Sequence, residues 1–361
     1  MSGRSIGLII TTWSLTGTRS KRIRMKLSRK RLLSLLLGLA VGLLLLALWL
    51  KFIDIDLLIS KIKQVRLELV VWASLFYLGA YLIRSLRWNL LLRKDVTLSW
   101  GRTWLYSMGG NWVNYVIPIR LGELVKAWFI KRNHGIPILS VLPSIFIDKT
   151  FDTVGIFFVL AMLPFLGIKF SSGMIALLSL LALVFALSLI VLLLAAWRKK
   201  GVVGFIKGLF AWLPGSARDK INRYIEIFIS GLNVFEHRWT RLLSGLALTA
   251  LGVLLDGLYF YLLFQAFSVQ LPFLKVLFGY TLINLSYALP QPPAQLGSNE
   301  WMMIIIFSVG FALTRQDASA IMAFAHMLTA FLMSVVGIAA IALSGRQIIA
   351  AILSGDKIYE Q

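Results

Sequence analysis

Residues 114–123 (Asn-Tyr-Val-Ile-Pro-Ile-Arg-Leu-Gly-Glu) and 284–300 (Asn-Leu-Ser-Tyr-Ala-Leu-Pro-Gln-Pro-Pro-Ala-Gln-Leu-Gly-Ser-Asn-Glu) interrupt two long apolar segments with proline, glycine and charge. Proline lacks a backbone donor and glycine disfavours helix, so each break leaves backbone polar groups unpaired. Within a bilayer such groups are tolerated only where they face protein or water. The two stretches therefore predict helical hairpins, over about 103–133 and 272–314, that each enter and leave the membrane on one side.

The composition around these breaks is that of a membrane protein. Of the 361 residues, 59% are hydrophobic and 14% are charged, whereas a soluble domain carries roughly 25% charged residues. Six further apolar runs are long enough for a helix to cross the hydrocarbon core: 32–53, 69–85, 136–166, 174–197, 242–267 and 319–343. We therefore predict an all-α, polytopic integral membrane protein with about six crossing helices and two re-entrant helical hairpins, arranged as a candidate inverted repeat.

The positive charge follows the pattern that sets membrane orientation. The net charge is +22, and with the N-terminus inside, 29 of the 37 Lys and Arg residues fall in cytoplasmic segments. Short basic loops between apolar runs do not form the continuous basic face that binds nucleic acid. We predict a multi-pass protein of the cytoplasmic (inner) membrane, with both termini cytoplasmic and no nucleic-acid partner.

The chain divides into three predicted parts. Residues 1–31 form a basic cytoplasmic segment in which Met25 is an alternative start, residues 32–345 form the membrane domain, and residues 346–361 form a cytoplasmic tail. Within the membrane domain, residues 198–241 alternate apolar and basic positions, which predicts a segment lying at the cytoplasmic membrane surface. The sequence has no cysteine and three scattered histidines, so we expect no metal and no cofactor.

Acidic residues inside the apolar segments are the first candidates for function. An ionisable group at the centre of a membrane helix costs about 2.5–3.5 kcal/mol on insertion scales. Asp148 and Asp152 share one helix face, and Lys149 is spaced to pair with Asp152. Either the buried acids line a polar path, or they form ion pairs that fix helix packing. Five of the 15 acidic residues are placed in this way: Glu123, Asp148, Asp152, Asp256 and Glu300.

The first break carries a candidate anion site. Arg120, Glu123 and Lys126 surround Gly122, where a new helix is expected to begin. A helix N-terminus offers free amides and partial positive charge, and an Arg fork can hold phosphate at two points. The alternative is that Arg120 neutralises Glu123 or Asp148.

Further polar residues have two interpretations each. Arg84 and Arg87 end the second apolar run, where they either anchor the helix at the membrane surface or bind phosphate. The second break has Gln295 and Asn299 in place of cations, so its attraction for an anion should be weaker. His326 lies in an apolar run, either as a packing residue or as a proton relay with Glu300.

Four motifs together resemble a known family. They are 84–88 (Arg-Ser-Leu-Arg-Trp), 118–123 (Pro-Ile-Arg-Leu-Gly-Glu), 148–152 (Asp-Lys-Thr-Phe-Asp) and 296–300 (Leu-Gly-Ser-Asn-Glu). Together they resemble the membrane domain of lysylphosphatidylglycerol synthases, a flippase-like family, over residues 30–345. The resemblance implies a module that moves a lipid or lipid-linked group between leaflets, through a cavity between two inverted re-entrant hairpins.

The sequence departs from the family in two places. Pro292 and Pro293 stand where relatives usually have a glycine-rich turn. The soluble aminoacyltransferase domain of the bifunctional synthases is not recognised, so lysyl transfer to phosphatidylglycerol is not expected.

These observations predict a lipid flippase or transporter for a phosphate-bearing lipid or lipid-linked headgroup, rather than an enzyme. The alternatives are a membrane-embedded transferase, or an accessory subunit of one, acting on a polyprenyl- or phospholipid-linked substrate, and a structural scaffold. Expected partners are membrane lipids, anionic ones above all, and a lipid-modifying enzyme; the oligomeric state is left open. The predicted substrate-binding residues are Arg84, Arg87, Asn111, Asn114, Arg120, Glu123, Lys126, Asp148, Lys149, Asp152, Asn284, Gln295, Asn299, Glu300 and His326.

Overall fold

Helices make up nearly all of the computed structural model, which describes residues 7–9, 24–26, 29–92, 96–117, 121–162, 239–287 and 291–345, with isolated residues 183, 208, 218, 219 and 222. Apart from residue 183, the predicted crossing helix 174–197 lies outside these residues. So do nearly all of the predicted surface segment 198–241 and the tail 346–361. So does Arg120. The prediction of an all-α, polytopic membrane protein is confirmed.

Two short strands and ten helices form the described part of the chain. Strands β1 (Gly7–Ile9) and β2 (Arg24–Lys26) pair antiparallel, a hairpin that the sequence did not predict. The helices are α1 (Arg29–Lys51), α2 (Ile55–Lys63), α3 (Leu67–Leu91), α4 (Trp100–Val116), α5 (Gly122–His134), α6 (Ile138–Leu160), α7 (Trp239–Ala266), α8 (Phe273–Ser286), α9 (Ser298–Met303, continued by a π-helical turn at Ile304–Val309) and α10 (Arg315–Ser344).

Several of these helices are long and apolar enough to cross a membrane. Within the described ranges α3, α7 and α10 meet this condition, and the count is four if α1 and α2, which meet at a bend of 91°, form one span. Helix α6 lies in a predicted crossing run but carries Asp148, Lys149 and Asp152 at its centre. Its polar face must therefore be covered by protein or water, which identifies α6 as a wall of a polar interior.

The helices repeat one pattern in each half of the chain. In α3 to α6 and again in α7 to α10, a long helix is followed by two shorter helices joined at a break and then by another long helix. Helix α3 packs along α7, α10 packs against α4, and α8 packs against α6. The last helix of each half thus contacts the first short helix of the other half. Such reciprocal contacts between the two halves are expected of an internal repeat.

The first break brings two backbones into contact. A Cβ atom added to Gly122 would collide with the carbonyl oxygen of Gly110, so only glycine lets α5 approach α4 this closely. The backbone N–H of Gly122 donates to Asn114 Oδ1 at 2.6 Å. That bond satisfies one of the amides that a helix start leaves free.

The second break, between α8 and α9, packs closely against α1. Gly297 has φ +75°, and an added Cβ would meet the Leu45 side chain and the backbone nitrogen of Leu46. Ala294 and Gln295 are also left-handed, with φ of 53° and 59°. Such backbone is costly for non-glycine residues and persists only where neighbouring contacts enforce it. One such contact is the indole N–H of Trp301, which donates to the Leu45 carbonyl at 3.0 Å.

Candidate functional site

A cavity of about 600 Å³ lies between the two halves of the repeat, a size typical of small-molecule sites. Its walls come from α3 to α8 and α10, with the second break and α9 closing one side. Eleven of the 15 residues predicted from sequence line it: Arg84, Arg87, Asn111, Asn114, Lys126, Asp148, Lys149, Asp152, Asn284, Gln295 and Asn299. Sequence positions far apart along the chain thus meet on one polar surface.

Arg87 joins three helices at the wall of the cavity. Its guanidinium contacts Asp148 Oδ1 at 2.8 Å and Asp152 Oδ1 at 2.5 Å on α6, and donates to Thr249 Oγ1 on α7 at 3.0 Å. The residue is 1% exposed. A cation so enclosed is an interior ion-pair residue, whereas a membrane-surface anchor would be expected to lie exposed to lipid headgroups.

Arg84 occupies a more open position one turn earlier on α3. Its guanidinium forms a bidentate pair with Asp256 on α7, and its Nε lies 3.9 Å from Asp152 Oδ1. About 29% of the Arg84 side chain is exposed, and it lines the cavity. Arg84 is therefore held in place by carboxylates at the wall of the cavity, with part of its side chain exposed.

Glu123 at the start of α5 is neutralised by two lysines. Its carboxylate contacts Lys126 Nζ at 3.0 Å and Lys149 Nζ at 3.1 Å. Lys149 also pairs with Asp152 Oδ2 at 3.2 Å, as the spacing predicts, and its side chain is 48% exposed. Lys126 and Lys149 thus supply positive charge for Glu123, and Arg87 supplies it for Asp148. Arg120, the partner that the sequence suggested for these acids, lies outside the described residues.

The ion pairs form one connected network that is balanced in formal charge among the described residues. Four cations, Arg84, Arg87, Lys126 and Lys149, meet four carboxylates, Glu123, Asp148, Asp152 and Asp256. Removing a charge from water is tolerable in a membrane only when an opposite charge and hydrogen bonds accompany it. The two interpretations of the buried acids therefore coincide: they form ion pairs that fix packing, and three of them also line the cavity.

The second break has its own ionisable pair. His326 on α10 places Nδ1 2.6 Å from Glu300 Oε1 and Nε2 2.7 Å from the backbone carbonyl of Ala294. A carbonyl only accepts, so Nε2 must carry a proton. The Nδ1 to Oε1 contact then needs one further proton, held by either partner. His326 and Glu300 therefore form a neutral unit that shares one proton, and it clamps the left-handed turn at Ala294 to α10.

The two ionisable pairs occupy equivalent places in the repeat. Glu123 and Glu300 each lie in the first turn of the helix that follows a break. Each contacts a nitrogen-bearing side chain 26 residues later, Lys149 on α6 and His326 on α10. The sequence indicated Lys149 as a partner of Asp152 but not as the partner of Glu123.

Sequence reasoning missed most of the aromatic wall of the cavity. Tyr77 and Tyr81 lie on the same face of α3 as Arg84, at helical spacings that could have indicated a shared surface. Asp256 was recognised as a buried acid but not as a cavity residue. The lining tyrosines are Tyr77, Tyr81, Tyr115, Tyr259, Tyr280 and Tyr287.

Fold and site together define a polytopic membrane protein whose two broken helix pairs enclose a polar intramembrane cavity. Residues 35–337 match the family described as the lysylphosphatidylglycerol synthase TM region, and the chain belongs to this family. The resemblance inferred from four motifs is thereby confirmed, and the chain is a membrane protein of a lipid-related family.

Several curated proteins are similar to the chain. A UPF0104 membrane protein of Methanocaldococcus jannaschii is 22% identical over 311 residues, which cover 82% of this chain and 91% of that protein. A UPF0104 membrane protein of Methanothermobacter thermautotrophicus is 24% identical over 285 residues, or 73% of this chain and 82% of that protein. Glycosyltransferase AglD of Haloferax volcanii is 27% identical over 158 residues, which are 43% of this chain but only 24% of AglD. No solved structure matches the chain.

Proposed function

We propose that the protein moves a phosphate-bearing lipid, or the headgroup of a lipid-linked intermediate, between the leaflets of the cytoplasmic (inner) membrane. The observation that carries this proposal is a cavity of about 600 Å³ lined by charged and amide side chains. Among the helices that line it, α3, α7 and α10 are long and apolar enough to span a membrane. A headgroup crossing the hydrocarbon core needs its polar atoms solvated, whereas its acyl chains can stay in lipid. The cavity offers charged and amide groups for that purpose, and membership of a lipid-related family agrees with it.

Lys149 and Arg84 are the proposed phosphate contacts. Both line the cavity and are partly exposed, and Lys149 Nζ lies within 3.2 Å of two carboxylates. A phosphate entering the cavity can replace one of those carboxylates without leaving the ammonium unpaired. Lys126 lies deeper, and Arg120, next to the start of α5 in sequence, remains a proposed contact.

We also propose an orientation of the chain in the membrane. We place residues 1–31 and 346–361 in the cytoplasm, on either side of a membrane domain at 32–345, because this orientation puts 29 of the 37 Lys and Arg residues in cytoplasmic segments. The first hairpin would then open to the cytoplasm and the second to the opposite side. Cations at the first break favour capture of the headgroup, and the neutral His326 and Glu300 unit at the second favours its release.

A second function is favoured by one observation. The 158 residues similar to AglD suggest that such a module also works beside a transferase that uses a polyprenyl- or phospholipid-linked substrate. In that case the chain would be an accessory subunit, or a membrane-embedded transferase, with a lipid-modifying enzyme as partner. Leaflet exchange by the purified chain alone, with no change in the lipid's mass, distinguishes transport from transfer.

Replacing Lys149 by methionine should slow leaflet exchange by about 10- to 100-fold, because a charge-assisted hydrogen bond contributes about 1.5–3 kcal/mol. The assay uses the full chain in liposomes that contain a headgroup-labelled phospholipid, and it follows label accessible to a membrane-impermeant quencher. Lys61→Met is the matched control, since Lys61 pairs with Asp317 at 2.7 Å away from the cavity. Wild-type liposomes that exchange no faster than protein-free liposomes, or equal rates in both variants, would refute the proposal.

A further inference from the structure

The cavity has two chemically different levels along α3. Arg87 and Arg84 mark a charged level, and Tyr81 and Tyr77 follow at spacings that keep all four residues on one face. Tyr77 and Arg84 are seven positions apart in the sequence, which corresponds to about 10 Å along a helix. The Arg84 guanidinium lies 5.8 Å from the Tyr81 ring centroid, so the two levels are continuous.

Tyrosines form a connected wall in the second level. The Tyr77 ring centroid lies 5.0 Å from that of Tyr81 and 5.2 Å from that of Tyr259, and Tyr280 lies 5.8 Å from Tyr259. Tyr280 also stacks on Phe260, with centroids 4.6 Å apart. Each ring is held by its neighbours, so the phenol groups that line the cavity are fixed in position before a ligand binds.

Side-chain amides complete this level, and some of their hydrogen-bonding capacity is unused. Asn299 donates from Nδ2 to Gln295 Oε1 at 2.9 Å. Asn299 is 3% exposed, and its Oδ1 has no hydrogen-bond partner in the part of the chain that the structure describes. The buried hydroxyl of Tyr115 is likewise unpartnered there. A buried polar atom without a partner costs about 1–3 kcal/mol, so both atoms favour a ligand that supplies hydrogen bonds.

The chemistry of this level fits hydroxyl groups better than charge. Amides and phenols each donate and accept, as a hydroxyl does, so they can pair with several neighbouring hydroxyls at once. The lining Lys and Arg residues all belong to the charged level, where each already pairs with a carboxylate. A second phosphate would therefore find no unused cation among the described residues of the tyrosine level. Aromatic side chains also suit the apolar face of a ring.

We propose that the transported headgroup carries a polyhydroxylated ring, a sugar or a cyclitol, bound at the tyrosine and amide level while its phosphate lies at the charged level. This inference rests on the proposed function, because it assigns a substrate class to the same cavity. The ring is bound by Tyr280 and Asn284 on α8 and by Asn299 on α9. The phosphate is bound by Arg84 and Lys149, and the acyl chains remain in the bilayer.

The test measures binding of short-chain phospholipids to the full chain in phosphatidylcholine nanodiscs, without requiring transport. Phosphatidylinositol is expected to bind at least about 10-fold more tightly than phosphatidic acid with the same acyl chains, because two or more hydroxyl hydrogen bonds each contribute about 1 kcal/mol. Added short-chain phosphatidylcholine should not compete. Water-soluble inositol phosphate should compete only at much higher concentration, since it lacks the acyl chains.

Variants of Tyr280 and Asn284 test whether the headgroup ring binds at these two residues. Tyr280→Phe keeps the aromatic ring and removes one hydroxyl, and it should lower the affinity ratio of phosphatidylinositol to phosphatidic acid by about 5- to 10-fold. Asn284→Ala should act in the same direction and serves if Tyr280→Phe does not fold. Tyr261→Phe is the control, because Tyr261 packs on Phe273 outside the cavity, and its ratio should equal that of the wild type.

Other outcomes overturn the inference. Equal affinity for phosphatidylinositol and phosphatidic acid, or an unchanged ratio in both Tyr280→Phe and Asn284→Ala, means that the tyrosine level does not bind hydroxyls. Effective competition by phosphatidylcholine means that the aromatic wall binds a cation instead. Equal competition by inositol phosphate means that the ligand is not a lipid. Leaflet exchange without selectivity for the ring would contradict this inference but not the proposed transport. Selectivity for the ring without leaflet exchange would contradict transport but not the binding of a ring.

Discussion

Arg87→Met should lower the free energy of unfolding by about 3–5 kcal/mol, because removing one partner of a buried ion pair leaves an uncompensated charge. Arg87 is 1% exposed and binds Asp148, Asp152 and Thr249. Methionine keeps the apolar stem of the side chain, so the loss reports the charge and not a cavity. Denaturant titration in detergent micelles, followed by the fluorescence of the 12 tryptophans, measures the change.

Two further variants show whether the loss of stability in Arg87→Met is caused by the unpaired charge. The double variant Arg87→Met with Asp148→Asn should recover more than half of the loss, because it removes both members of the buried pair. Lys61→Met breaks an ion pair whose side chains are 32% and 22% exposed, and it should cost less than about 1 kcal/mol. A double variant as unstable as Arg87→Met would show that Arg87 acts through packing.

Glu300→Ala should destabilise the protein by about 3 kcal/mol, whereas Glu300→Gln should stay within about 1 kcal/mol of the wild type. The reason is the shared proton between Glu300 and His326. A glutamine amide can donate to His326 Nδ1 as a protonated carboxyl does, while alanine leaves that buried nitrogen without its partner and His326, which bonds Ala294, less firmly held. The same denaturant titration measures both variants.

The comparison between Glu300→Ala and Glu300→Gln tests whether the pair with His326 needs a carboxyl group or only a hydrogen-bonding partner. If Glu300→Gln were as destabilising as Glu300→Ala, a carboxyl group would be essential and the neutral, proton-sharing description of this pair would be wrong. Equal stability of all three proteins would mean that the second break is held by its contacts with α1 alone.

The sequence was sufficient to predict where the helices break, because proline, glycine and charge in an apolar run have few physical explanations. The predicted hairpin 103–133 corresponds to α4 and α5, and 272–314 corresponds to α8 and α9. The spacing of Asp148, Lys149 and Asp152 predicted one face of α6, and Lys149 does contact Asp152. These features are local, and helical periodicity is enough to infer them.

Pairings between distant helices were not predictable in the same way. Nothing local to Arg84 indicates that Asp256, 172 residues later, is its partner. A hydropathy profile contains neither the bend of 91° between α1 and α2 nor the bond between Trp301 and the Leu45 carbonyl. The tyrosine wall was missed because tyrosine in an apolar helix usually indicates only a core or interfacial position.

The most direct test of the proposed transport function is whether the headgroup passes through the cavity. The chain has no cysteine, so a single cysteine can be placed at Thr329, which lines the cavity, or at Phe331 on the same helix, which is 65% exposed on the outer surface. Leaflet exchange by each variant in liposomes is measured before and after reaction with a bulky thiol reagent. The account predicts that the adduct at Thr329→Cys abolishes exchange and that the adduct at Phe331→Cys does not. Undiminished exchange with the cavity filled would contradict it.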